Sequence, residues 1–410
     1  MHFSVGQLSL SALCISSLCL SCVAPTRAGH MESADTKSST ENPAKGLVEL
    51  DGAAQGWRAS LVLDNDPVGI WRMEPLQIFP QYATPEVIGL DDNGTCWVMV
   101  SYSGKWTPQR VLADGAWLGG IAFGDIDPQA TGQELYVGGK KGVLYQVRSY
   151  DDGGLDGRRI ASFPGLEIHT LIAGDVDPVN DGAEVLVFTR PGGLYRVAPK
   201  GDGDFTSTLI GELPGRIRDA ILLSDGKTIV TASRNGQVAL LKLNANGPQW
   251  QIIHQSDAGC GRLAIGKTTA GEMPTIYSSG DNGRIFKHTE GANSWSTETI
   301  YSGPLGPRGL VAGQFDADPT VETIAIFGYS GRVEKLSNRN GVWESTTLFS
   351  DRDRGHWLSV LEIDGRNNTD EIMLSGYGAR MVLLSMTPGS GVNELAVPVE
   401  LDRHANRTDQ

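Results

Sequence analysis

A strand-turn-strand pattern recurs seven times along this chain, and it constrains the fold more than any other feature. Each copy is an apolar run, a turn that contains glycine and a second apolar run, as in ELYVGGKKGVLYQV at Glu134. Clear copies begin at Glu134, Glu184, Thr323 and Glu371, and fainter ones begin at Pro85, Lys227 and Pro274. Two apolar runs joined by such a turn are typical of a β-hairpin. The sequence therefore predicts seven hairpins.

Each hairpin has a further strand on either side. A short apolar run precedes it, as in TLIAGD at 170–175, and a strand that tends to open on an aromatic residue follows it. The aromatic openings are at Trp106, Phe205, Trp250, Trp295 and Trp343. Four strands in about 45 to 50 residues match the dimensions of a β-propeller blade. We therefore predict an all-β fold, a seven-bladed β-propeller of four-stranded blades.

The strand WRASLVL at Trp57 indicates how the ring closes. It has the pattern of an outer strand but comes before the first inner strand, so it has no blade of its own. In a closed propeller, such an N-terminal strand can complete the last blade and leave no sheet edge unpaired. A solenoid is the alternative, although it gives this strand no role. The segment VNELAVPVEL at 392–401 could compete for the same outer position or add beside it.

The two ends of the chain differ from the repeats. Residues 1–28 have an apolar centre followed by small residues, which predicts a secretion signal, and the polar segment 29–46 predicts a disordered linker. The propeller is predicted to span 47–401, with a disordered tail at 402–410. The triplet before Cys22 resembles a bacterial lipobox without its usual first leucine, so a lipid anchor at Cys22 stays open. We therefore expect an exported protein, whether periplasmic, at the cell surface or extracellular.

Charge and motifs narrow the choice of partners. The chain has 34 basic and 48 acidic residues and a net charge of −14, so neither a nucleic acid nor an anionic membrane surface is expected. No membrane span is predicted beyond the leader.

Without the leader, only Cys96 and Cys260 of the 5 cysteines remain, too few for a disulfide framework. No nucleophile elbow, P-loop, zinc-protease helix or dinucleotide fingerprint occurs in a suitable context.

Several copies carry an acidic corner between the inner strand and the hairpin, as in GDIDPQATGQE at 124–134 and GDVDPVNDGAE at 174–184. These corners resemble those of the FG-GAP and VCBS-type propeller repeats, in which an Asp-x-Asp-x-Asp-Gly loop precedes a glutamate and an apolar strand. The resemblance covers 57–386 as architecture, and it implies that some corners hold Ca²⁺, which takes several oxygen ligands. The best candidates for this calcium site are Asp175, Asp177 and Asp181. No other cofactor is expected.

The corners also depart from the family pattern. The third aspartate and its glycine are missing or displaced after Asp127 and after Asp177. The alternative to calcium is therefore that the carboxylates accept hydrogen bonds from turn amides and fix the link between two strands. Catalysis is not predicted at these corners, because equivalent positions are spread around the ring.

The loops that lead from an outer strand into the next inner strand meet at one mouth of a propeller's channel. In this chain they are rich in arginine, histidine and tryptophan, which suggests a ligand site. The candidate ligand-binding residues are Trp71, Arg72, Trp117, His169, Arg218, Arg262, Arg308, His356 and Trp357. Tryptophan stacks on the flat faces of ligand rings, and arginine donates paired hydrogen bonds to two oxygens of a carboxylate or sulfate. These residues therefore favour a polar or anionic ligand. The alternative is that the arginines cap carbonyls and the tryptophans seal the ring.

The sequence supports two hypotheses of function. The first is an exported binding module or scaffold that recognises a saccharide or protein partner through the channel mouth. The second is implied by some propellers of the resembled family. It is a carbohydrate-active lyase or dehydratase in which a histidine or arginine acts on the proton beside a uronic carboxylate. The non-enzymatic function is preferred, and no catalytic residue is assigned.

Overall fold

The computed structural model describes residues 48–79, 84–102, 105–150, 154–266, 273–363, 369–387 and 397–398. The predicted secretion signal, linker and tail, together with Cys22, lie outside the described residues. The regular elements of the described part are strands, β1 to β30 in chain order. No helix in this part has the length and apolarity needed to cross a membrane.

Each blade is an antiparallel sheet whose strands follow the pattern of the repeat. The second strand of a blade is central and fully buried, as in Glu86–Asp91, whereas outer strands such as Lys105–Ala113 are largely exposed and polar. The hairpin turns need glycine where φ is positive, as at Gly236 (86°) and Gly283 (88°), a conformation that other residues rarely adopt. Apolar alternation and these turns together produce the strand-turn-strand unit.

The strands of the first six blades follow one another in the chain. Blade 1 has β3 (Ile70–Leu76), β4 (Glu86–Asp91), β5 (Thr95–Tyr102) and β6 (Lys105–Ala113). Blade 2 has β7 (Leu118–Gly124), β8 (Glu134–Gly139), β9 (Val143–Ser149) and β10 (Leu155–Ser162). Blade 3 has β11 (Glu167–Gly174), β12 (Glu184–Arg190), β13 (Gly193–Pro199) and β14 (Phe205–Glu212). Blade 4 has β15 (Ile217–Leu222), β16 (Thr228–Ser233), β17 (Gln237–Asn244) and β18 (Gly247–Gln255). Blade 5 has β19 (Cys260–Ile265), β20 (Ile276–Gly280), β21 (Arg284–Glu290) and β22 (Trp295–Ser302). Blade 6 has β23 (Pro307–Ala312), β24 (Glu322–Gly328), β25 (Arg332–Arg339) and β26 (Val342–Ser350).

Blade 7 takes its outer strand from the start of the described chain. It contains β27 (Gly355–Leu361), β28 (Glu371–Gly376) and β29 (Arg380–Met386), and β29 pairs with β2 (Trp57–Asp64). The inner strands of blades 7 and 1 also meet, since the hydroxyl of Ser359 donates to the carbonyl oxygen of Met73 at 2.7 Å. The predicted all-β, seven-bladed propeller is therefore confirmed, including the completion of its last blade by the strand at Trp57.

Two short strands add to blade edges in a way that the sequence did not indicate. β1 (Val48–Leu50) pairs with β2 and makes blade 7 a five-stranded sheet. β30 (Val397–Pro398) comes from the C-terminal segment that could have competed for the outer position of blade 7 or added beside it. It pairs instead with β26 of blade 6. The edge of β2 is already occupied by β1, so the C-terminal segment pairs with the neighbouring blade.

Apolar side chains from adjacent blades pack into the spaces between the sheets. Between blades 6 and 7, the buried cluster includes Trp57 and Ala59 from β2, Phe349 from β26, and Leu374 and Leu384 from blade 7. Such burial stabilises by roughly 25 cal/mol per Å² of apolar surface removed from water. The closing strand is thus held by both pairing and packing.

Leu384 tests this closure. It is fully buried and lies opposite Ala59 in the β2–β29 pairing. Leu384→Ala should therefore lower the free energy of unfolding by roughly 2 to 5 kcal/mol, because it leaves a cavity. Leu209→Ala on β14, at a side chain that is 56% exposed, should change it by less than about 0.5 kcal/mol. Urea unfolding of both variants measures the difference, and similar losses would contradict the closure described above.

Candidate functional site

Every inner strand has a break in its pairing close to its first residue. The register of the inner strand against the second strand shifts there in all seven blades. The residues left out of the pairing are Trp71, Gly119, His169, Arg218, Gly261 with Arg262, Arg308 and His356. A β-bulge bends a strand and re-aims the extra side chain. Most of the predicted mouth residues are therefore bulge residues.

The hairpin turns between the second and third strands supply a further set of side chains to the same mouth. In six blades the first residue of this turn donates its backbone N–H to a carbonyl just before the inner strand. The six donors are Asp92, Lys140, Arg234, Asp281, Tyr329 and Tyr377. The distance from the Arg234 nitrogen to the Arg216 oxygen, for example, is 2.9 Å. This repeated bond places turn residues beside the bulge residues.

A cavity of about 260 Å³ lies at this mouth. All nine predicted ligand-binding residues line it. It is also lined by five residues that sequence reasoning missed, namely Gly119, Arg216, Arg234, Tyr329 and Tyr377. Three of these five are turn residues, which an alignment of the hairpin turns would have found. Within the described part of the chain, six arginines and no aspartate or glutamate line the cavity.

Two arginines share one aromatic ring on the buried side of the cavity. The guanidinium carbons of Arg72 and Arg262 lie 4.5 and 4.4 Å from the centroid of the Trp357 ring. All three side chains belong to residues that are less than 9% exposed. A guanidinium over the face of tryptophan is stabilised electrostatically, more strongly when it is desolvated. Trp357 therefore holds two arginines in place by cation–π contact.

Aromatic residues also hold the arginines at the rim. The guanidinium of Arg354 lies 4.2 Å from the Tyr377 ring centroid, and that of Arg308 lies 5.3 Å from the Tyr329 ring centroid. Trp71 packs edge-on against Tyr377, at a centroid distance of 5.3 Å. The tyrosines, like Trp357, contact the arginines through their ring faces.

Acidic groups lie around and below the cavity rather than on its walls. Asp281 accepts from both Arg218 and Arg308, each at 2.8 Å. Glu74 accepts from Arg72 at 3.2 Å, and burial is the main cause that raises its pKa to about 7. Asp281 is thus one carboxylate shared by two guanidiniums, which leaves an excess of positive charge at the mouth.

Both mouth histidines are neutral near pH 7. The Nδ1–H of His356 donates to the carbonyl oxygen of Trp71 at 2.7 Å, and burial followed by the charge of Arg262 holds its pKa well below the usual value. Nε2 of His169 lies 3.3 Å from a carboxylate oxygen of Glu167. Burial, and then the charge of Arg216, lowers the pKa of His169 to about 4. The histidines therefore add polar atoms but no positive charge.

Three buried donors of the cavity lining have no hydrogen-bond partner among the described residues. They are Nε of Arg216, Nε of Arg262 and Nε1 of Trp357. A buried N–H without an acceptor costs about 1 to 3 kcal/mol. All three are N–H donors, so a partner for any of them must be a hydrogen-bond acceptor such as an oxygen atom.

The acidic corners lie at the other ends of the inner strands, on the face opposite the mouth. Glu184 accepts backbone N–H bonds from Val176 and Asp177 at 3.0 and 2.8 Å, and Asp177 pairs with Arg196 at 2.8 Å. Asp175 and Asp181 are exposed. The same two-amide bond recurs at Glu134 and Glu86. The corner carboxylates therefore hold turn amides.

No group of three or more histidine, cysteine, aspartate or glutamate residues in the described ranges is arranged to hold a metal ion. The side chain of Asp177 is already committed to Arg196. Calcium at Asp175, Asp177 and Asp181 thus stays a prediction drawn from the family resemblance.

Glu74 should make stability depend on pH. Its pKa is about 7 in the folded protein and 4.5 ordinarily, so the folded state binds this proton more tightly than the unfolded state. The free energy of unfolding should therefore fall as pH rises from about 4.5 to about 7. Glu74→Gln, which cannot ionise, should gain stability relative to the parent by about 1 to 3 kcal/mol between pH 5 and pH 8. Urea unfolding at both pH values measures this gain, and the same difference at both would contradict it.

Comparison with known proteins supports the fold. The chain is similar to the crystal structure of the WD40 β-propeller domain of Doa1, with a TM-score of 0.54 and 12% identity over 80% of this chain and 97% of that one. At that identity the likeness shows the fold alone. No protein-family model matches the sequence, and no curated protein does. The resemblance to FG-GAP and VCBS-type repeats therefore stays a prediction, whereas the β-propeller, a fold that commonly serves as a binding or scaffold module, is confirmed.

Proposed function

We propose that this chain is a binding module that takes an anionic group of a saccharide or protein partner into the cavity at the channel mouth. One observation carries the proposal. Six arginines line the cavity, and no carboxylate of the described residues does. The chain as a whole has a net charge of −14, so this local excess of positive charge runs against its composition. Fixed guanidiniums that face a cavity bind carboxylate, sulfate or phosphate oxygens.

The size of the cavity suggests how much of the partner enters. At about 260 Å³ it lies just below the range of roughly 300 to 1,000 Å³ that is usual for small-molecule pockets. It therefore suits one charged group or one ring at the end of a larger molecule. The rest of the partner would contact the surrounding rim, where Tyr329 is 43% exposed.

A lyase or dehydratase is the alternative function, and one observation favours it. The neutral imidazoles of His169 and His356 line a cavity that also holds guanidiniums, and such a pair could abstract a proton and stabilise the carboxylate beside it. A cleavage site would, however, have to enclose the groups on both sides of the bond that breaks. The volume of the cavity favours binding. Release of an unsaturated uronate from an acidic polysaccharide would favour the lyase.

We also propose that the protein acts after export. The support is the sequence of residues 1–28 and the polar segment 29–46 that follows it. Peptide mapping of the protein purified from cell envelope and medium would locate the new N-terminus and show whether Cys22 carries lipid.

Arg308 tests the binding function. The parent protein should bind trigalacturonate, or a short acidic peptide, more tightly than the neutral sugar or the amide form of the peptide. Arg308→Gln should weaken anion binding roughly tenfold or more, because a charge-assisted hydrogen bond contributes about 1.5 to 3 kcal/mol. Isothermal titration calorimetry measures both effects.

Arg110→Gln is the matched control, since Arg110 is exposed on β6 of blade 1, an outer strand. It makes the same change of charge and should leave binding unchanged. Equal affinity for the anionic and neutral ligands would refute an arginine-based site.

A further inference from the structure

Two adjacent arginines of the mouth have no acidic partner. Among the described residues, no carboxylate lies within ion-pairing distance of Arg216 or Arg234, although both line the cavity. Arg216 immediately precedes β15, and Arg234 is the turn residue between β16 and β17 of the same blade. The backbone bond from the Arg234 nitrogen to the Arg216 oxygen, 2.9 Å long, places them side by side. Blade 4 thus presents two positive charges at one place with no ion-pair partner among the described residues. Glu167, whose charge acts on Arg216, is itself paired with Arg190.

The surroundings add to this excess of charge. Arg218 lies two residues after Arg216, and its one carboxylate partner, Asp281, is shared with a second arginine. Burial, and then the charges of Arg190, Arg218 and Arg234, lowers the pKa of Arg216 to about 10. The nearby imidazole of His169 is neutral and does not offset or add charge. Like charges held together in a partly buried site favour a multiply charged counter-ion.

Arg216 also has a buried donor that no described residue satisfies. Nε of Arg216 is buried and has no hydrogen-bond partner among the described residues. A guanidinium can offer Nε–H and a terminal N–H together to two oxygens of one group. Arg216 lines the cavity and carries a positive charge, and no described residue accepts from its Nε–H, so its guanidinium can pair with an oxyanion at the cavity wall.

We propose that Arg216 and Arg234 form a subsite for a phosphomonoester group carried by the ligand. The inference rests on the proposed anion-binding function and names the anion. A carboxylate or a sulfate ester brings one negative charge, which leaves one of the two guanidiniums without a partner. A phosphomonoester brings about 1.5 to 2 negative charges at pH 7 and three acceptor oxygens. It can therefore neutralise both arginines at once. The group could belong to a phosphorylated saccharide or to free inorganic phosphate, which present the same oxygens.

Three sugars that differ in one group test the choice of anion. Calorimetric titration at fixed ionic strength would compare glucose 6-phosphate, glucose 6-sulfate and glucuronate, with inorganic phosphate in a separate arm. We expect the phosphomonoester to bind at least about tenfold more tightly than the other two at pH 7.5, because it makes one more charge-assisted contact. Its affinity should fall towards pH 5, where the second phosphate proton, with a pKa of about 6, is bound. The affinity for the sulfate ester should stay constant over that range.

Two variants assign the effect to blade 4. Arg216→Gln and Arg234→Gln should each weaken the binding of glucose 6-phosphate roughly tenfold and remove its preference over glucuronate. Arg110→Gln should change neither, and circular dichroism of each variant checks the fold. Inorganic phosphate that binds as tightly as glucose 6-phosphate would support the subsite and assign it to the free ion.

The two proposals fail in different ways. Glucuronate that binds as tightly as glucose 6-phosphate would overturn the phosphomonoester subsite but leave the anion-binding function standing. Loss of affinity in the Arg308→Gln variant but none in Arg216→Gln or Arg234→Gln would do the same. No binding of any of the four anions would overturn both.

Discussion

The β-bulge at the start of each inner strand is the constraint on which the channel mouth depends. A regular strand alternates its side chains between two faces of the sheet, so an inner strand without a bulge would direct a residue such as Arg308 between the blades. The extra residue breaks the alternation once in each blade. Because the same bulge recurs in all seven blades, the bulge residues form a ring around one opening of the channel. Beyond the bulge, each inner strand resumes its alternation, so the apolar packing between the blades does not depend on which residues occupy the bulges.

The arginines of this ring are held by partners that leave them charged. Ring faces of Trp357, Tyr329 and Tyr377 support guanidiniums by cation–π contact, and Asp281 accepts from both Arg218 and Arg308. These partners fix the geometry of the guanidiniums and neutralise only part of their charge. The arginines are therefore already ordered before a ligand binds, which lowers the entropic cost of binding. This is the physical basis of the proposed anion site in a chain that is acidic overall.

Much of the fold was predictable from the sequence because each blade must satisfy the same hydrogen bonds and bury the same faces. The four-strand period, the number of blades and the role of the strand at Trp57 all follow from the repeated pattern, and the structure confirms them. β1 and β30 were missed, since strands of three and two residues carry no period of their own.

The candidate site was predictable in part for a related reason. Trp71, His169, Arg308 and His356 lie at similar offsets before their hairpins, and this offset is the bulge position seen in the structure. The other five predicted mouth residues lie close by and line the same cavity. Arg234, Tyr329 and Tyr377 were missed because we interpreted the hairpin turns only as glycine-containing connections and did not consider their other side chains. The sharing of Asp281 by Arg218 and Arg308 joins residues from three different blades, and no local pattern reports such a contact.

The proposed anion site is tested most directly by a crystal structure of the protein soaked in arsenate, a tetrahedral oxyanion whose anomalous scattering marks its position. We expect an anomalous peak in the mouth cavity, within hydrogen-bonding distance of at least two of its arginines. A well-diffracting crystal with an empty mouth cavity, or with arsenate bound only elsewhere on the surface, would contradict it.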